Sequence, residues 1–331
     1  MRLSFTKVSG LLLCIFYCQL VQAKIWRVNN NAGVNADFAG LPAAFANPAL
    51  QNGDTVHIEG STIAYAPAGF SKRLVLIGPG YLLSGAGSNT GLQANNNTAS
   101  LSGLYLDSLA SGSVIMGISG TIYLNPQVDN ITITRCKVII HDNNFVANSK
   151  LENLLISKSY IGISTAYTFE NLHIRNCVID NEASIPNVVN GLIRNNVVLN
   201  TGMTISNAYL ANNIFYNASL IPTNCSIKYN LATTSTLPAG NNNQNNINAA
   251  SIFVATGTTD GQFQLSAGSL AAAAGEPISG VTPDAGIFGT ADPYVLSGIP
   301  PVPSIYSLTV PASVPASATS MNIVFSTRSN N

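Results

Sequence analysis

A repeat of about twenty residues constrains the fold of this chain more than any other feature. Between residues 130 and 232 a nine-residue pattern occurs six times, and successive copies begin 17 to 23 residues apart. The copies begin at Asn130, Asn153, Asn171, Asn190, Asn207 and Asn224. Helical repeats are longer and lack short runs of β-branched residues, so this period predicts the stacked rungs of a β-solenoid.

Three positions of the pattern predict how a rung packs. The first is always Asn, which tolerates the left-handed backbone of a tight turn and can bond to the same residue one rung away. The fourth is aliphatic, which predicts a buried column, and the seventh is small and polar or a thiol, which predicts an inward-facing corner. The fourth position comprises Ile133, Ile156, Ile174, Ile193, Leu210 and Ile227. The seventh comprises Cys136, Ser159, Cys177, Asn196, Asn213 and Asn230.

The flanking segments predict the ends of the solenoid. Residues 24–60 form an N-terminal cap, in which Leu41 to Leu50 is expected to be a short helix that covers the open end of the column. Asn becomes scarce after residue 248, and residues 241–248 are expected to be a solvated loop. A Pro-led tail, residues 300–331, contains two strand-like runs; two strands alone are marginal in water, so we expect the tail to pack on the solenoid.

The N-terminus predicts export. Residues 1–23 carry Arg2 and Lys7, then an apolar run, then Ala23 as the small residue where a signal peptidase would cut. The run is about half as long as a membrane span, so we expect no transmembrane anchor. The predicted location is the medium, the cell surface or the periplasm of a bacterium. The β-helix would then occupy residues 24–299, and the predicted fold class is all-β with a short capping helix and a small C-terminal β tail.

Net charge and cysteine content indicate which binding partners and which cysteine chemistry to expect. Removing Arg2 and Lys7 from 14 cations leaves 12 against 14 acidic residues, a net charge of −2, and no basic tract is present. Nucleic acid is therefore not an expected partner. The three remaining cysteines, Cys136, Cys177 and Cys225, are an odd number at wide spacings, so buried free thiols are expected in place of a disulfide framework.

Several motifs outside the repeat resemble a known group of proteins. Gly53-Asp54-Thr55-Val56, the Asn-Asn-Val rungs and the late series Phe263, Leu265, Ser269, Gly275, Asp284 and Gly286 resemble secreted right-handed parallel β-helix proteins of the pectin-lyase-like superfamily. The ending from Pro293 to Asn331 is similar to uncharacterised Bacteroidota β-helix proteins. The resemblance covers the mature chain and implies a right-handed coil. It does not imply one activity, since the superfamily includes lyases, hydrolases, adhesins and proteins without known catalysis.

Stacked rungs predict a row of ligand-binding side chains on one outer face. The third and fifth positions point outward because the fourth points inward. This places His173, Arg175, Arg194, Tyr209 and Lys228 side by side. Paired guanidinium groups beside an aromatic ring are suited to an acidic sugar. The alternative is a solvated face of long polar side chains.

A second row predicts a calcium site. Asp129, Glu152 and Glu170 immediately precede three successive copies, and carboxylates so placed repel unless a Ca²⁺ ion, nearby cations or water compensates them. In the resembled polysaccharide lyases an Arg or Lys base acts beside calcium-bound carboxylates, so the resemblance makes Arg175 and Arg194 catalytic candidates. The carboxylate row is expected to lie around a corner from the arginines, which would separate the two parts.

Three functions remain open from the sequence. The leading hypothesis is an exported β-helix that presents a rigid face to carbohydrate or other surface components without strong catalysis. The second is a calcium-assisted polysaccharide lyase acting on a uronate-containing glycan, and the third is a structural subunit of a surface or matrix. The sequence leaves open whether the chain is an enzyme, and it does not predict an oligomeric state.

Overall fold

Parallel β-strands wind around a common axis, and each strand pairs with its equivalents one rung above and one rung below. The structure is a computed structural model that describes residues 23–93, 95–144, 146 and 149–328. It confirms the predicted right-handed parallel β-helix. The predicted signal peptide, apart from Ala23, lies outside the described residues.

The first sheet has ten strands, one from each rung. They are Ile25–Val28, Thr55–Ile58, Val75–Ile77, Val114–Met116, Thr132–Thr134, Leu155–Ser157, His173–Arg175, Gly191–Arg194, Ala208–Ala211 and Ser226–Lys228. The predicted register is confirmed, because fourth-position residues pair directly, as Ile156 does with Ile133 and Ile174. All six of these residues are buried, so the aliphatic column forms as predicted.

The second sheet has eleven strands and divides at a fork. Its strands are Ala68–Phe70, Ala99–Leu106, Ile118–Leu124, Lys137–Asp142, Tyr160–Ser164, Val178–Ile185, Val197–Leu199, Gly202–Ser206, Ile214–Tyr216, Ser219–Thr223 and Leu231–Ala232. The fork lies in Val178–Ile185, which pairs through its first residues with Val197–Leu199 and through its last with Gly202–Ser206. A bulge sets the residues from Asp180 to Glu182 opposite Gly162 alone.

The remaining elements are short. A third sheet contains Lys150–Glu152, Thr168–Glu170 and Val188–Val189, and an antiparallel pair near the C-terminus contains Ser304–Thr309 and Val324–Arg328. The helical elements are the α-helix Leu41–Ala46 and the 3₁₀ turns Ser108–Ala110, Ala249–Ser251 and Gly261–Phe263. Within the described ranges, no helix has the length and apolar character needed to cross a membrane.

First-position Asn residues turn the corner that leads into the strands of the first sheet. All six have φ between 44° and 59°, the left-handed conformation that Asn tolerates. Their side chains form an exposed ladder, in which Asn153 Nδ2 donates to Asn130 Oδ1 and Asn171 Nδ2 donates to Asn153 Oδ1, each at 2.9 Å. The ladder breaks at Asn207, whose amide donates to the Val188 carbonyl at 2.8 Å. Both predicted roles of this position are thus confirmed.

A second Asn ladder runs inside the coil at the seventh position. Asn196 Nδ2 donates to Asn213 Oδ1, and Asn213 Nδ2 donates to Asn230 Oδ1, both at 2.9 Å. The Asn213 amide also donates to the Ile193 carbonyl at 2.9 Å, so its buried polar atoms are paired. Asn243 Oδ1 then accepts the Asn230 backbone N–H at 3.1 Å and ends the ladder. The loop expected to be solvated therefore supplies the last member of a partly buried ladder.

The N-terminal helix covers the top of the second sheet, as predicted. It buries Leu41, Ala44 and Phe45, and the Phe45 ring lies 5.1 Å from that of Phe70 in the first strand of that sheet. The helix is shorter than expected because its C-cap, Asn47, precedes Pro48, and a residue before proline disfavours helical backbone.

Residues 249–300, here called the strap, pack along the side of the coil. Their apolar side chains form a second hydrophobic cluster with residues of the second sheet, including Val197 and Ile214. The strap is also held by a fully buried carboxylate, Asp260. It accepts Asn89 Nδ2 at 2.7 Å, Ser297 N–H at 2.6 Å and the Tyr294 hydroxyl at 3.1 Å, and this satisfies its buried charge.

Beyond residue 302 the described part of the C-terminal tail does not pack on the solenoid, so the expectation was wrong for this part. Its two strands pair with each other, with Leu308 opposite Phe325. From residue 303 to 327 every side chain whose burial is described is exposed except that of Ser326. The tail therefore leaves apolar side chains such as Leu308 and Phe325 exposed.

Candidate functional site

The structure brings the predicted row of cationic and aromatic side chains together on the outer face of the first sheet. Arg175 pairs in register with Arg194, and His173 and Tyr209 occupy the neighbouring register position on either side of Leu192. Lys228 follows one rung later, after Ala211. The predicted geometry of this row is therefore present in the fold.

The strap already supplies a carboxylate to most of this row. Glu276 accepts Arg194 Nη2 at 3.0 Å and the Tyr209 hydroxyl at 2.5 Å, and it lies 3.9 Å from Lys228 Nζ. Burial, the hydrogen bond to Glu276 and the negative charge of Glu276 raise the pKa of Tyr209 to about 12. The side chains predicted to hold an acidic sugar therefore contact a carboxylate of the strap instead.

A second strap carboxylate contacts the other end of the row. Asp292 forms an ion pair with Lys158, and its Oδ2 lies 3.8 Å from Arg175 Nη1. That separation is too long for a hydrogen bond, so Arg175 is held only loosely. His173 is exposed on the same face.

The predicted calcium residues lie on a different side of the coil. Glu152 and Glu170 pair in register at the ends of third-sheet strands, and the Asp129 carboxylate accepts the Glu152 backbone N–H at 2.7 Å. Lys150 Nζ lies 2.5 Å from Glu170 Oε1 and compensates one of the charges. The Asn153 corner separates this row from the arginines, as expected. Across the described residues, no three His, Cys, Asp or Glu side chains gather into a group that could hold a metal, so the calcium site stays a prediction.

A groove on the outer face of the second sheet was not predicted. Two depressions, of about 260 Å³ and about 200 Å³, lie at the fork and share Tyr160 and Asp180. We call their union the fork groove. Its polar and aromatic lining includes Lys137, Tyr160, Asp180, Asn200, Tyr216 and Gln262. The groove lies at the bulge, because Gly162, Asp180 and Asn181 all line it.

A hydrogen-bonded pair, Tyr160 and Asp180, lies at the centre of the fork groove. The Tyr160 hydroxyl donates to Asp180 Oδ2 at 2.7 Å, and Lys137 Nζ lies 5.5 Å from the centre of the Tyr160 ring. Burial, then the hydrogen bond and charge of Asp180, raise the pKa of Tyr160, so its hydroxyl stays a donor. The groove thus combines an aromatic ring with fixed donors and acceptors, and its lining cation and carboxylate balance in charge.

A row of rings lies beside the groove on the same sheet. The Tyr105 and Tyr123 rings stack 4.6 Å apart at 8°, and His141 follows 6.1 Å from Tyr123. His141 Nε2 lies 3.7 Å from Glu182 Oε2 in the bulge. One sequence signal could have located this row, because Tyr105, Tyr123 and His141 are each 18 residues apart, the length of one rung.

No family model, curated protein or solved structure matches this chain. The site must therefore be interpreted from its own geometry.

Proposed function

We propose that this protein is an exported β-helix that presents a rigid face to carbohydrate and binds it in the fork groove. The observation that carries the proposal is the pair of adjoining depressions that share Tyr160 and Asp180. Sugars offer apolar C–H faces and hydroxyl groups together. An aromatic ring flanked by carboxylate and amide groups has the matching chemistry.

The charge of the groove favours a neutral glycan. Lys137 and Asp180 are its only charged lining residues among those described, and they carry opposite charges. An acidic glycan would need the arginine row, where Arg194 and Lys228 already face Glu276. The scaffold also supports the proposal. Most strands of the sheet are paired with a neighbour on each side, so the binding face is already ordered and loses little conformational entropy when a glycan binds.

Glycan-array binding of the purified protein, with and without Ca²⁺, is the first test. We expect retention of neutral oligosaccharides that does not depend on Ca²⁺. For a retained glycan, Asp180→Asn should weaken binding by about tenfold in calorimetry, because it replaces a charged acceptor with a neutral one of the same shape. The matched control is Glu152→Gln, an exposed carboxylate on another side, which should leave affinity unchanged.

Two results would contradict the proposal. One is an array without any retained glycan, and the other is equal binding by the Asp180→Asn and Glu152→Gln variants. If the protein instead released products that absorb in the ultraviolet from an acidic polysaccharide, and a chelator or Glu152→Gln stopped the release, the lyase hypothesis would replace this one.

A structural subunit is the second candidate, and the C-terminal strand pair favours it. Ile305, Leu308, Val324 and Phe325 are each 57–60% exposed there. A two-stranded sheet also has unpaired edges, and a second copy of this chain could add a strand to them.

A further inference from the structure

A cleft of about 430 Å³ lies between the outer face of the first sheet and the strap. Leu192, Arg175 and Arg194 line it from adjacent strands of the sheet, and Ile278 and Val281 line it from the strap. Small-molecule sites have volumes of about 300–1,000 Å³, so the cleft is large enough for a small organic ligand.

Cations outnumber carboxylates around the cleft. Lys158 and Arg175 face the single carboxylate of Asp292. In the same way, Arg194 and Lys228 face only Glu276. Four cations opposite two carboxylates leave positive charge that an anion would balance.

Two guanidinium groups have donors to offer to such an anion. Arg175 is 47% exposed and approaches Asp292 no closer than 3.8 Å. The Nε–H of Arg194 is buried and finds no acceptor within the described part of the chain. A buried donor without an acceptor is unfavourable, and a carboxylate oxygen would remove that cost.

Part of the cleft lining is apolar. Ile278 and Val281 pair across a tight turn of the strap and are 54% and 69% exposed. Leu192 lies opposite them in the lining. Exposed aliphatic side chains next to paired guanidinium groups match a ligand that has an apolar body and one anionic end.

We propose that this cleft binds a small organic carboxylate with an apolar body, whose carboxylate contacts Arg175 and Arg194 and whose body covers Leu192, Ile278 and Val281. The cleft lies on the first sheet and the fork groove on the second. This binding is therefore independent of the proposed carbohydrate function, and either can fail without the other.

Calorimetry with three probes tests the ligand class. Naphthalene-1-carboxylate carries both features, acetate carries only the charge, and naphthalen-1-ylmethanol carries only the apolar body. We expect the full-length protein to bind the first probe at least about tenfold more tightly than either of the others, since each lacks one of the two sets of contacts.

Paired variants test the site. Arg175 and Lys158 share Asp292, but only Arg175 lines the cleft. Arg175→Gln should weaken naphthalene-1-carboxylate binding by about tenfold, because it removes both a charge and a contact. Lys158→Gln removes the same charge without a contact and should weaken binding several-fold less. Val281→Ser, an exposed position whose substitution does not threaten folding, should weaken the same probe by several-fold.

Three outcomes would overturn the proposal. Acetate binding as tightly as naphthalene-1-carboxylate would show a nonspecific anion site. Equal losses in the Arg175→Gln and Lys158→Gln variants would show a general effect of charge. No measurable binding of any probe at millimolar concentration would show that the cleft has no ligand of this class.

Discussion

The regular rungs and the strap are held in opposite ways. In the rungs the ladder and column side chains mostly meet their own equivalents one rung away, as Asn213 does with Asn196 and Asn230, so one interaction is repeated along the axis. In the strap single residues act once, as Asp260 and Glu276 do. A defect in a rung therefore interrupts a continuous column, whereas a defect in the strap should release a segment and leave the column intact.

The largest expected effect comes from Asp260→Ala in the strap. The change removes the buried carboxylate that accepts from Asn89, Tyr294 and the Ser297 N–H. Asn89 and Tyr294 keep bonds to Ser297 and Tyr81, but the Ser297 N–H loses its acceptor, and we expect a total cost of about 4 kcal/mol. Hydrogen exchange followed by mass spectrometry should show much faster exchange in residues 249–300 and unchanged protection in residues 130–232. Faster exchange throughout both regions would contradict the distinction between them.

Asn213→Ala should have the next largest effect, and it should act on the whole coil. It removes the acceptor of two Asn196 donors and the donor to the Ile193 carbonyl, all of them buried. We expect the free energy of unfolding to fall by about 3 kcal/mol in denaturant titrations.

The matched control for this prediction is Asn171→Ala in the exposed ladder. Its side-chain bonds to Asn153 and Asn190 are in solvent, so their loss costs little. Ala tolerates the φ of 59° less well than Asn, and we expect a total loss of only about 1 kcal/mol. Equal losses at the two positions would show that burial does not set the strength of the ladders.

Alkaline pH should weaken the rungs through two thiols. Burial raises the pKa of Cys136 and of Cys177 from 9.0 to about 12. Because the unfolded chain loses these protons first, the stability is fully present below about pH 9 and declines as pH rises toward about 12. Each thiol should remove about 1.4 kcal/mol per pH unit within that window.

Denaturant titrations near pH 8 and near pH 10 measure this decline. Other groups titrate in the same range, so the comparison is with the Cys136→Ser, Cys177→Ser double variant, whose stability should depend less steeply on pH. A double variant with the same pH dependence as the original protein would rule out the two thiols as the cause.

The difference between repeated contacts in the rungs and single contacts in the strap also explains which features the sequence could predict. Periodicity alone located the Asn corners, the buried column and the adjacency of Arg175 and Arg194, because stacking places equivalent positions over each other. It could not reveal that Glu276, 82 residues after Arg194, would occupy this row. Nor could it reveal the fork groove, since the bulge at Asp180 departs from the repeat. Both depend on single, non-repeating contacts.

The smallest expected effect is that of removing the tail. The strands Ser304–Thr309 and Val324–Arg328 pair only with each other, and the described side chains of the tail are almost all exposed. Deleting residues 304–331 should therefore change the unfolding free energy of the rest by less than about 0.5 kcal/mol. Its effect on self-association is the sharper readout: if the exposed edges join copies of this chain, light scattering should detect concentration-dependent assembly only with the tail present. A truncated chain that unfolds more easily would instead show that the tail stabilises the coil through contacts with it, as the strap does.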